Sequence, residues 1–210
     1  HEDHMPLRRA LAQHAAGKIL CFGSGIGTEG IIAAEMGKDV TFYDLDSLIY
    51  KFLQFRVALR DLKNVTFITG ELHEQRLGGR IVYSHPSFAV YDTIISIDVL
   101  EHLEHPQEVL NFLGSHLTRE GEFLVSAPFY ELEYFGHLPQ NRFLDIDLMM
   151  RRARIRNYRK EVLSSSEAIG MYPGMLKRSI VYCVDALPLH DRIKHRLLFM
   201  GGSMRKRVFG

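Results

Sequence analysis

The sequence has few features of a secreted or membrane-embedded protein. Its only two cysteines, Cys21 and Cys183, lie far apart in apolar segments, so we interpret them as reduced core residues rather than a disulfide pair. No apolar run reaches the ~18 residues that a membrane span needs. No basic segment followed by an apolar one opens the chain, so we expect no signal peptide. These absences predict a cytoplasmic protein, and 210 residues suffice for one globular domain with a sizeable core.

Charge is nearly balanced overall, at +1, but it is distributed unevenly. Residues 1–140 hold 11 Lys and Arg against 19 Asp and Glu, whereas residues 141–210 hold 15 against 6. Such asymmetry indicates a face that meets an anion, or only a solvated helix face. The amphipathic segment 188–200 is compatible with a membrane surface. The densest basic cluster suits phosphate and comprises Arg151, Arg152, Arg154, Arg156, Arg159 and Lys160.

Strand-like and helix-like segments alternate over the first two thirds of the chain. The β-branched run 93–97 is typical of a strand buried on both faces. In the second helix, Leu48, Phe52, Phe55 and Leu59 share one apolar stripe, and Ser47 or Asp46 is expected to cap its start. The alternation predicts an α/β fold with a parallel sheet covered on both faces. Predicted strands are 18–22, 40–43, 65–69, 93–97, 122–127 and 179–184, and predicted helices are 28–36, 47–61 and 109–117.

Four glycines fall within the segment "KILCFGSGIGTEG" at residues 18–30, between the first strand and the first helix. Glycine lets a ligand approach the backbone closely, and the helix start offers free N–H groups. Residues 25–30 fit the dinucleotide pattern G-x-G-x-x-G, and Asp44 supplies the acid about 20 residues later. The frame Gly23-x-Gly25-x-Gly27 is the other way to divide the same loop. The loop alone therefore leaves the ligand open.

Five segments occur along the chain in the order "ILCFGSGIG", "VTFYDLDS", "VTFITGEL", "YDTIISIDVLEHLEHP" and "GEFLVSAPF". Together they resemble the motifs of class I S-adenosylmethionine-dependent methyltransferases, in particular the small-molecule "type 11/12" branch. They cover residues 18–129, over half of the chain. This resemblance implies a Rossmann-like three-layer α/β/α sandwich, with a mostly parallel seven-stranded-type sheet and a C-terminal cap segment. It selects the Gly23 frame and leaves Gly30 as a packing residue.

The resemblance also implies roles for individual residues toward S-adenosylmethionine. The loop residues Gly23, Ser24, Gly25 and Gly27 would wrap its methionine portion. Asp44 would accept hydrogen bonds from both ribose hydroxyls, as an ionised carboxylate can. Glu71 would meet the adenine amino group, Leu72 would pack on the adenine ring, and Asp98 would lie beside the sulfonium end. Leu45 completes the predicted cofactor-binding set.

One position of the glycine loop departs from the family pattern. Cys21 stands where the family usually has an acid, two residues before the first motif glycine. That acid helps to hold the ammonium group of the methionine moiety. Glu29 could supply a compensating charge, but we expect it to face solvent at the start of the helix, where the helix dipole favours it.

Two histidines are candidate catalytic bases: His102, just beyond the fourth strand, and His137, in the segment "FGHLPQNR". Methyl transfer needs alignment above all, and a base is needed only where the acceptor carries a proton. The spacing Asp98-x-x-Glu101-His102, with His137 as a fourth ligand, resembles the E-x-x-E-H of branches that methylate catechol-type hydroxyls or the 2′-hydroxyl of small RNAs. Since Asp98 is one methylene shorter and the same letters occur in metal-free relatives, we expect no divalent metal.

We predict a single domain over residues 1–210: an N-terminal segment 1–17, a cofactor-binding core 18–128, and a substrate-facing cap with the rest of the sheet over 129–210. The predicted function is transfer of a methyl group to an O or N atom of a small-molecule or biosynthetic intermediate, anionic or phosphorylated, with S-adenosylhomocysteine as product. Two alternatives remain open. One is an RNA-directed, 2′-O-type methyltransferase that uses the basic C-terminal patch. The other is a NAD-type oxidoreductase or a non-catalytic cofactor-binding protein. No oligomeric state is predicted.

Overall fold

Five parallel strands form the central sheet of the computed structural model, which describes residues 5–127, 129, 136–144 and 146–153. Numbered in chain order, the sheet strands run in the spatial order β3-β2-β1-β6-β7, and β4 and β5 form a separate antiparallel hairpin. The strands are β1 (Ile19–Phe22), β2 (Val40–Asp44), β3 (Val65–Thr69), β4 (His73–Leu77), β5 (Arg80–Ser84), β6 (Tyr91–Ile97) and β7 (Leu117–Ser126).

Helices cover both faces of this sheet, and alternate strand residues point into two separate cores. On one face Leu20, Ile94 and Phe123 belong to the core cluster that includes residues of α4. On the other face Ile19 and Ile95 belong to the cluster that includes residues of α1, α2 and α3. The predicted three-layer α/β/α arrangement is therefore confirmed. The helices are α1 (Met5–His14), α2 (Thr28–Glu35), α3 (Leu48–Leu59), α4 (Pro106–Ser115) and α5 (Ile146–Arg152), with short 3-10 helices at Leu100–His102 and Pro139–Phe143.

The strands predicted within residues 18–127 are all present, and the strand predicted at 179–184 lies outside the described residues. The hairpin of β4 and β5 was not predicted. It occupies the connection between β3 and β6, and two glycines at 78 and 79 form its turn. On β5, Tyr83 packs against the core cluster on the α4 side of the sheet. A two-residue Gly-Gly turn between short runs is a hairpin signal that the sequence does contain.

The apolar stripe predicted for α3 is present, but it faces outward rather than toward the core. Leu48, Phe52, Phe55 and Leu59 are 50% to 84% exposed, whereas Tyr50, Leu53 and Val57 are buried. Both sets have helical spacing, so periodicity alone could not choose between them. The Tyr50 hydroxyl decides the rotation of α3, because it donates to the carbonyl oxygens of Phe42 and Ile68, at 3.1 Å and 2.8 Å, on the two adjacent strands β2 and β3.

The start of α3 is capped by Ser47, whose hydroxyl accepts a hydrogen bond from the Tyr50 backbone N–H at 3.2 Å. The alternative cap, Asp46, was wrong. Its carboxylate lies outside the helix start, 3.6 Å from the ammonium group of Lys51. No helix among the described residues is both long enough and apolar enough to span a bilayer.

Candidate functional site

The carboxyl ends of β1, β2 and β6 bring the glycine loop, Asp44 and Asp98 to one edge of the sheet. In parallel α/β sheets this edge is where ligands bind. The loop is tied to β2 because the backbone N–H groups of Gly23 and Ser24 both donate to the carbonyl oxygen of Tyr43, each at 3.0 Å. The Tyr43 hydroxyl in turn donates to the Gly70 carbonyl at 2.8 Å, which fastens the loop after β3 to the same edge.

Gly25 is the glycine of this loop that faces open space. Its φ of +51° lies in the left-handed region, and no atom lies within 4 Å of where a Cβ would be. By contrast, a Cβ on Gly30 would lie 2.3 Å from the ring of Phe42, so Gly30 is a packing residue, as predicted. Gly25, which both frames share, thus places open glycine backbone at the edge of the sheet. A ligand can approach the chain closely at Gly25.

Asp44 holds the glycine loop in place. One carboxylate oxygen accepts a hydrogen bond from the backbone N–H of Gly25 at 2.6 Å, and the other accepts from the Leu45 N–H at 2.8 Å. Each oxygen has a further lone pair, so the carboxylate can still accept two hydroxyl groups. Leu45 is exposed directly beside it and offers an apolar surface to a ligand.

The other predicted cofactor residues fall around the same edge. Ser24 is buried, and within the part of the chain that the structure describes its hydroxyl has no hydrogen-bond partner, so it can bond a polar ligand group. Glu71 is exposed on the loop after β3. Leu72 is half-buried and packs against the core cluster. Burial raises the pKa of the Tyr43 phenol, and the nearby Asp44 and Glu71 carboxylates raise it further, so this hydroxyl stays a donor.

Asp98 lies immediately after β6 in a strained conformation. Its φ of +54° is unusual for a residue other than glycine, and the backbone N–H donates to the Ser126 carbonyl at 2.9 Å. The Ser126 hydroxyl donates to the Asp98 carboxylate at 3.1 Å. These two bonds to the end of β7 hold the strained residue, and backbone strain of this kind concentrates at functional sites.

Glu101, His102 and His137 form a compact cluster beyond the end of β6. The Glu101 carboxylate is 1% exposed and lies 3.8 Å from Nε2 of His137 and 4.0 Å from Nε2 of His102. The two imidazole rings meet edge to face, with centroids 4.8 Å apart. The possible ligand atoms of the three residues all lie within 4.8 Å of one another, so they could hold a metal ion. Asp98, which the predicted ligand set also included, is not part of this group.

A second loop brings His137 to this cluster. The Leu138 backbone N–H donates to the Glu101 carbonyl at 3.2 Å, and the buried Asn141 side chain donates to the carbonyls of Glu101 and Leu103 at 3.1 Å and 2.8 Å. Sequence reasoning missed Asn141. An asparagine after Leu-Pro-Gln carries no local signal, because both of its acceptors lie about 40 residues earlier in the chain.

Glu29 is buried, which corrects the expectation that it faces solvent. Its carboxylate, 6% exposed, accepts a hydrogen bond from the guanidinium of Arg8 on α1. Cys21, which stands where the family usually has an acid, is buried beside Glu29 and has a free thiol. Burial raises the pKa of the Cys21 thiol, and the Glu29 carboxylate raises it further, so Cys21 remains a neutral core residue. Cys183 lies outside the described residues.

A pH dependence follows from His85, which lies under the loop after β3 and stacks on His73 at 6.3 Å. Burial lowers the pKa of His85 below its usual 6.5, and the charge of His73 lowers it further. The unfolded chain therefore binds this proton more tightly than the folded one, so the free energy of unfolding should fall as pH drops below about 6.5. We expect His85→Gln to flatten the decline in melting temperature between pH 7.5 and 5.5. The exposed neighbour variant His73→Gln should flatten it less, because the effect of burial on His85 remains.

Comparison with known proteins gives one matching family model and several solved structures with a similar fold. The family model described as "Methyltransferase domain" matches residues 20–123. No curated protein matches the sequence. Solved structures with a similar fold include the glycopeptide N-methyltransferase MtfA complexed with S-adenosylhomocysteine, at 17% identity and a TM-score of 0.48, covering 60% of this chain and 49% of that one.

Two further structures are similar over the same part of the chain. Coclaurine N-methyltransferase, bound to N-methylheliamine and S-adenosylhomocysteine, is 19% identical with a TM-score of 0.48, covering 59% of this chain and 34% of that one. The CcbJ methyltransferase from Streptomyces caelestis is 18% identical with a TM-score of 0.48, covering 60% and 50%. The chain spans half or less of the length of these proteins. Residues 20–123 match this methyltransferase domain, and the methyltransferase family predicted from the five motifs is confirmed over that range.

Proposed function

We propose that this protein binds S-adenosylmethionine at the edge formed by β1, β2 and β6 and transfers its methyl group to an oxygen or nitrogen atom of a small molecule. The observation that carries the proposal is the contact between Asp44 and Gly25, which places an acceptor-only carboxylate beside open glycine backbone. In the proposed arrangement the Gly23–Gly27 loop takes the methionine portion and Asp44 takes the ribose hydroxyls. Glu71 and Leu72 meet the adenine ring, and Asp98 lies at the reacting end.

The chemistry that the cofactor supplies is an electrophilic methyl group on a sulfonium, which the acceptor attacks in line. The chain's own contribution is alignment, because holding two reactants in register lowers the barrier most. Asp98 is fixed for this purpose by its two bonds to Ser126. His137 is the candidate base for an acceptor that carries a proton, and the Glu101 carboxylate, 3.8 Å away, would stabilise the positive charge that the ring acquires.

The burial of His137 favours a small acceptor over a macromolecule. Its side chain is 6% exposed, so a reacting atom must enter a recess to reach it. The more exposed His102 lies at the outer side of the same cluster and is the second candidate base. An RNA acceptor, a membrane contact and an anionic acceptor were interpretations of segments 151–160 and 188–200, of which only residues 151–153 are described, with Arg152 exposed. Those interpretations, the cytoplasmic location and the cap over 129–210 stay predictions.

The decisive experiment is thermal unfolding of the whole chain with S-adenosylhomocysteine, NADH and divalent cations in parallel. S-adenosylhomocysteine at about 100 times its Kd should add about 2.7 kcal/mol, or roughly 5–10 °C in melting temperature. NADH should give no shift. Absence of a shift with S-adenosylhomocysteine would overturn the proposed function. If Mn²⁺ or Zn²⁺ raises the melting temperature and His102→Ala abolishes this rise, the expectation that no metal binds is overturned.

The loop that contains Gly136 and His137 approaches His102 closely, which gives a further test. Gly136 has a φ of +89°, and a Cβ there would lie 3.0 Å from Nδ1 of His102. Gly136→Ala should therefore cost about 1–3 kcal/mol of stability, and it should also slow methyl transfer by displacing the histidines. Gly37→Ala is the matched control, because Gly37 has a similar φ of +83° with open space at the Cβ position. Equal transfer rates in the two variants would show that the loop does not position a base.

A further inference from the structure

One face of α3 exposes an unusual amount of apolar surface. We call it the outer α3 stripe and define it by Leu48, Ile49, Phe52, Phe55 and Leu59, which are 84%, 57%, 50%, 59% and 71% exposed. Phe52 and Phe55 stack on each other with ring centroids 6.4 Å apart. If a fully exposed large apolar side chain offers about 200 Å², the stripe amounts to roughly 600 Å². A contiguous patch of that size marks an interaction site on a monomer.

The spacing within the outer α3 stripe is that of a helix packed on another helix. Leu48, Phe52, Phe55 and Leu59 are separated by four, three and four residues, which is the a/d pattern of a coiled-coil seam. The opposite face of α3 is already used, because Tyr50, Leu53 and Val57 are buried in the core of the domain. The helix therefore carries one inward and one outward apolar face, and the outward one has the geometry for a second helix.

The area and the helix dipoles favour a second copy of this chain as the occupant. Two stripes facing each other would bury roughly 1,200 Å² in total, which reaches the lower bound of a stable specific interface. In an antiparallel pair the start of each α3 lies beside the end of the other. Each end of α3 carries its own ion pair, Asp46 with Lys51 at the start and Asp61 with Lys63 beyond the end, so these groups bring no net charge to the ends of the seam. The antiparallel helix dipoles attract each other.

The basic side chains of α3 argue against an anionic lipid surface as the occupant. The Lys51 ammonium lies 3.6 Å from the Asp46 carboxylate. The Arg56 guanidinium is turned toward the glycine loop, where it donates to the Ile26 carbonyl and to the Thr28 hydroxyl. Membrane-surface helices instead present free Lys and Arg along the polar border of their apolar face. We propose that the outer α3 stripe is a homodimer interface, in which two copies of α3 pack antiparallel across a two-fold axis between Phe52 and Phe55.

Sedimentation velocity of the full chain from 1 to 100 µM tests this proposal, with three proteins compared. The wild type should sediment as a dimer. Phe55→Glu places a charge at the centre of the seam and should raise the dimer dissociation constant at least about 30-fold, without lowering the melting temperature of the monomer. Val82→Glu is the matched control, since Val82 is also exposed but lies on the hairpin, and it should remain dimeric.

Two results would overturn the dimer. A wild type that is monomeric up to 100 µM would do so, whatever covers the stripe instead. A lowered melting temperature of Phe55→Glu in a monomeric wild-type background would point to cover by residues 154–210, and binding of the monomer to anionic vesicles would point to lipid. A Phe55→Glu variant as dimeric as the wild type would place the interface elsewhere. S-adenosylhomocysteine binding by the same proteins keeps this outcome separate from that of the proposed function, because the stripe does not include the residues assigned to the cofactor.

Discussion

Replacing Arg8 with alanine is expected to lower the free energy of unfolding by about 2–3 kcal/mol, or roughly 4–12 °C in melting temperature. The cause is the Glu29 carboxylate, which is 6% exposed and would be left buried without its guanidinium partner. Breaking a fully buried ion pair costs about 3–5 kcal/mol. The lower value applies here because Arg8 is 28% exposed, so water can reach the vacated position. Glu29 also lies in the first turn of α2, where the helix dipole would still stabilise its negative charge after the loss of Arg8.

The neighbouring Arg9→Ala is the control, because Arg9 is exposed on the same helix. Its melting temperature should stay within about 1–2 °C of the wild type, as for most surface substitutions. In the background of Arg8→Ala, Glu29→Gln should restore part of the lost stability, since a neutral amide is cheaper to bury than a lone carboxylate. If Arg8→Ala and Arg9→Ala have the same melting temperature, the Arg8–Glu29 pair contributes nothing to stability.

Replacing Asp44 with asparagine is expected to weaken S-adenosylhomocysteine binding by about 10- to 100-fold. A hydrogen bond to a charged group contributes about 1.5–3 kcal/mol, and asparagine keeps one acceptor but presents an N–H₂ group in place of the other. That group would face either the Gly25 N–H or the Leu45 N–H, both of which are donors. The substitution therefore disturbs the glycine loop as well as the ribose contact. Isothermal titration calorimetry with S-adenosylhomocysteine measures the effect directly.

The adjacent acid provides the control for this measurement. Asp46→Asn removes the same charge two residues later, where the carboxylate is exposed and lies near Lys51. We expect its affinity for S-adenosylhomocysteine to stay within about two-fold of the wild type, because an exposed charge at that distance is screened by solvent. An unchanged affinity in Asp44→Asn would remove Asp44 from the ribose site and leave the glycine loop without its proposed role.

The central sheet was predictable because each of its strands carries its own local signal. Apolar and β-branched runs at residues 18–22, 40–43 and 93–97 read as buried strands, and the structure places β1, β2 and β6 there. The edge that gathers the glycine loop, Asp44 and Asp98 then follows from topology, since parallel strands end on the same side. This much of the site needs no knowledge of long-range packing.

The features that sequence reasoning missed depend on contacts between distant residues. The sequence indicated one apolar stripe on α3 but not which face is buried, because two stripes share helical spacing, and the Tyr50 hydroxyl that reaches β2 and β3 lies on the buried face. The burial of Glu29 depends on Arg8, 21 residues earlier, which no local pattern links to it. The docking of the second loop depends on Asn141 and two carbonyls near the end of β6. In each case the structure depends on a polar contact between residues far apart in the sequence, which the spacing of apolar residues does not reveal.

The strand order also governs when this fold can form during synthesis. β1, whose four residues are all buried, pairs with β2 on one side and with β6 on the other. β6 leaves the ribosome only after β3 and the hairpin, so one edge of β1 stays unpaired for several seconds at ordinary rates of translation. An open edge on an apolar strand is a template for association with other chains. The glycine loop is therefore synthesised early but reaches its folded conformation late. Gly23 packs against Val99, and Val99 follows β6 in the chain.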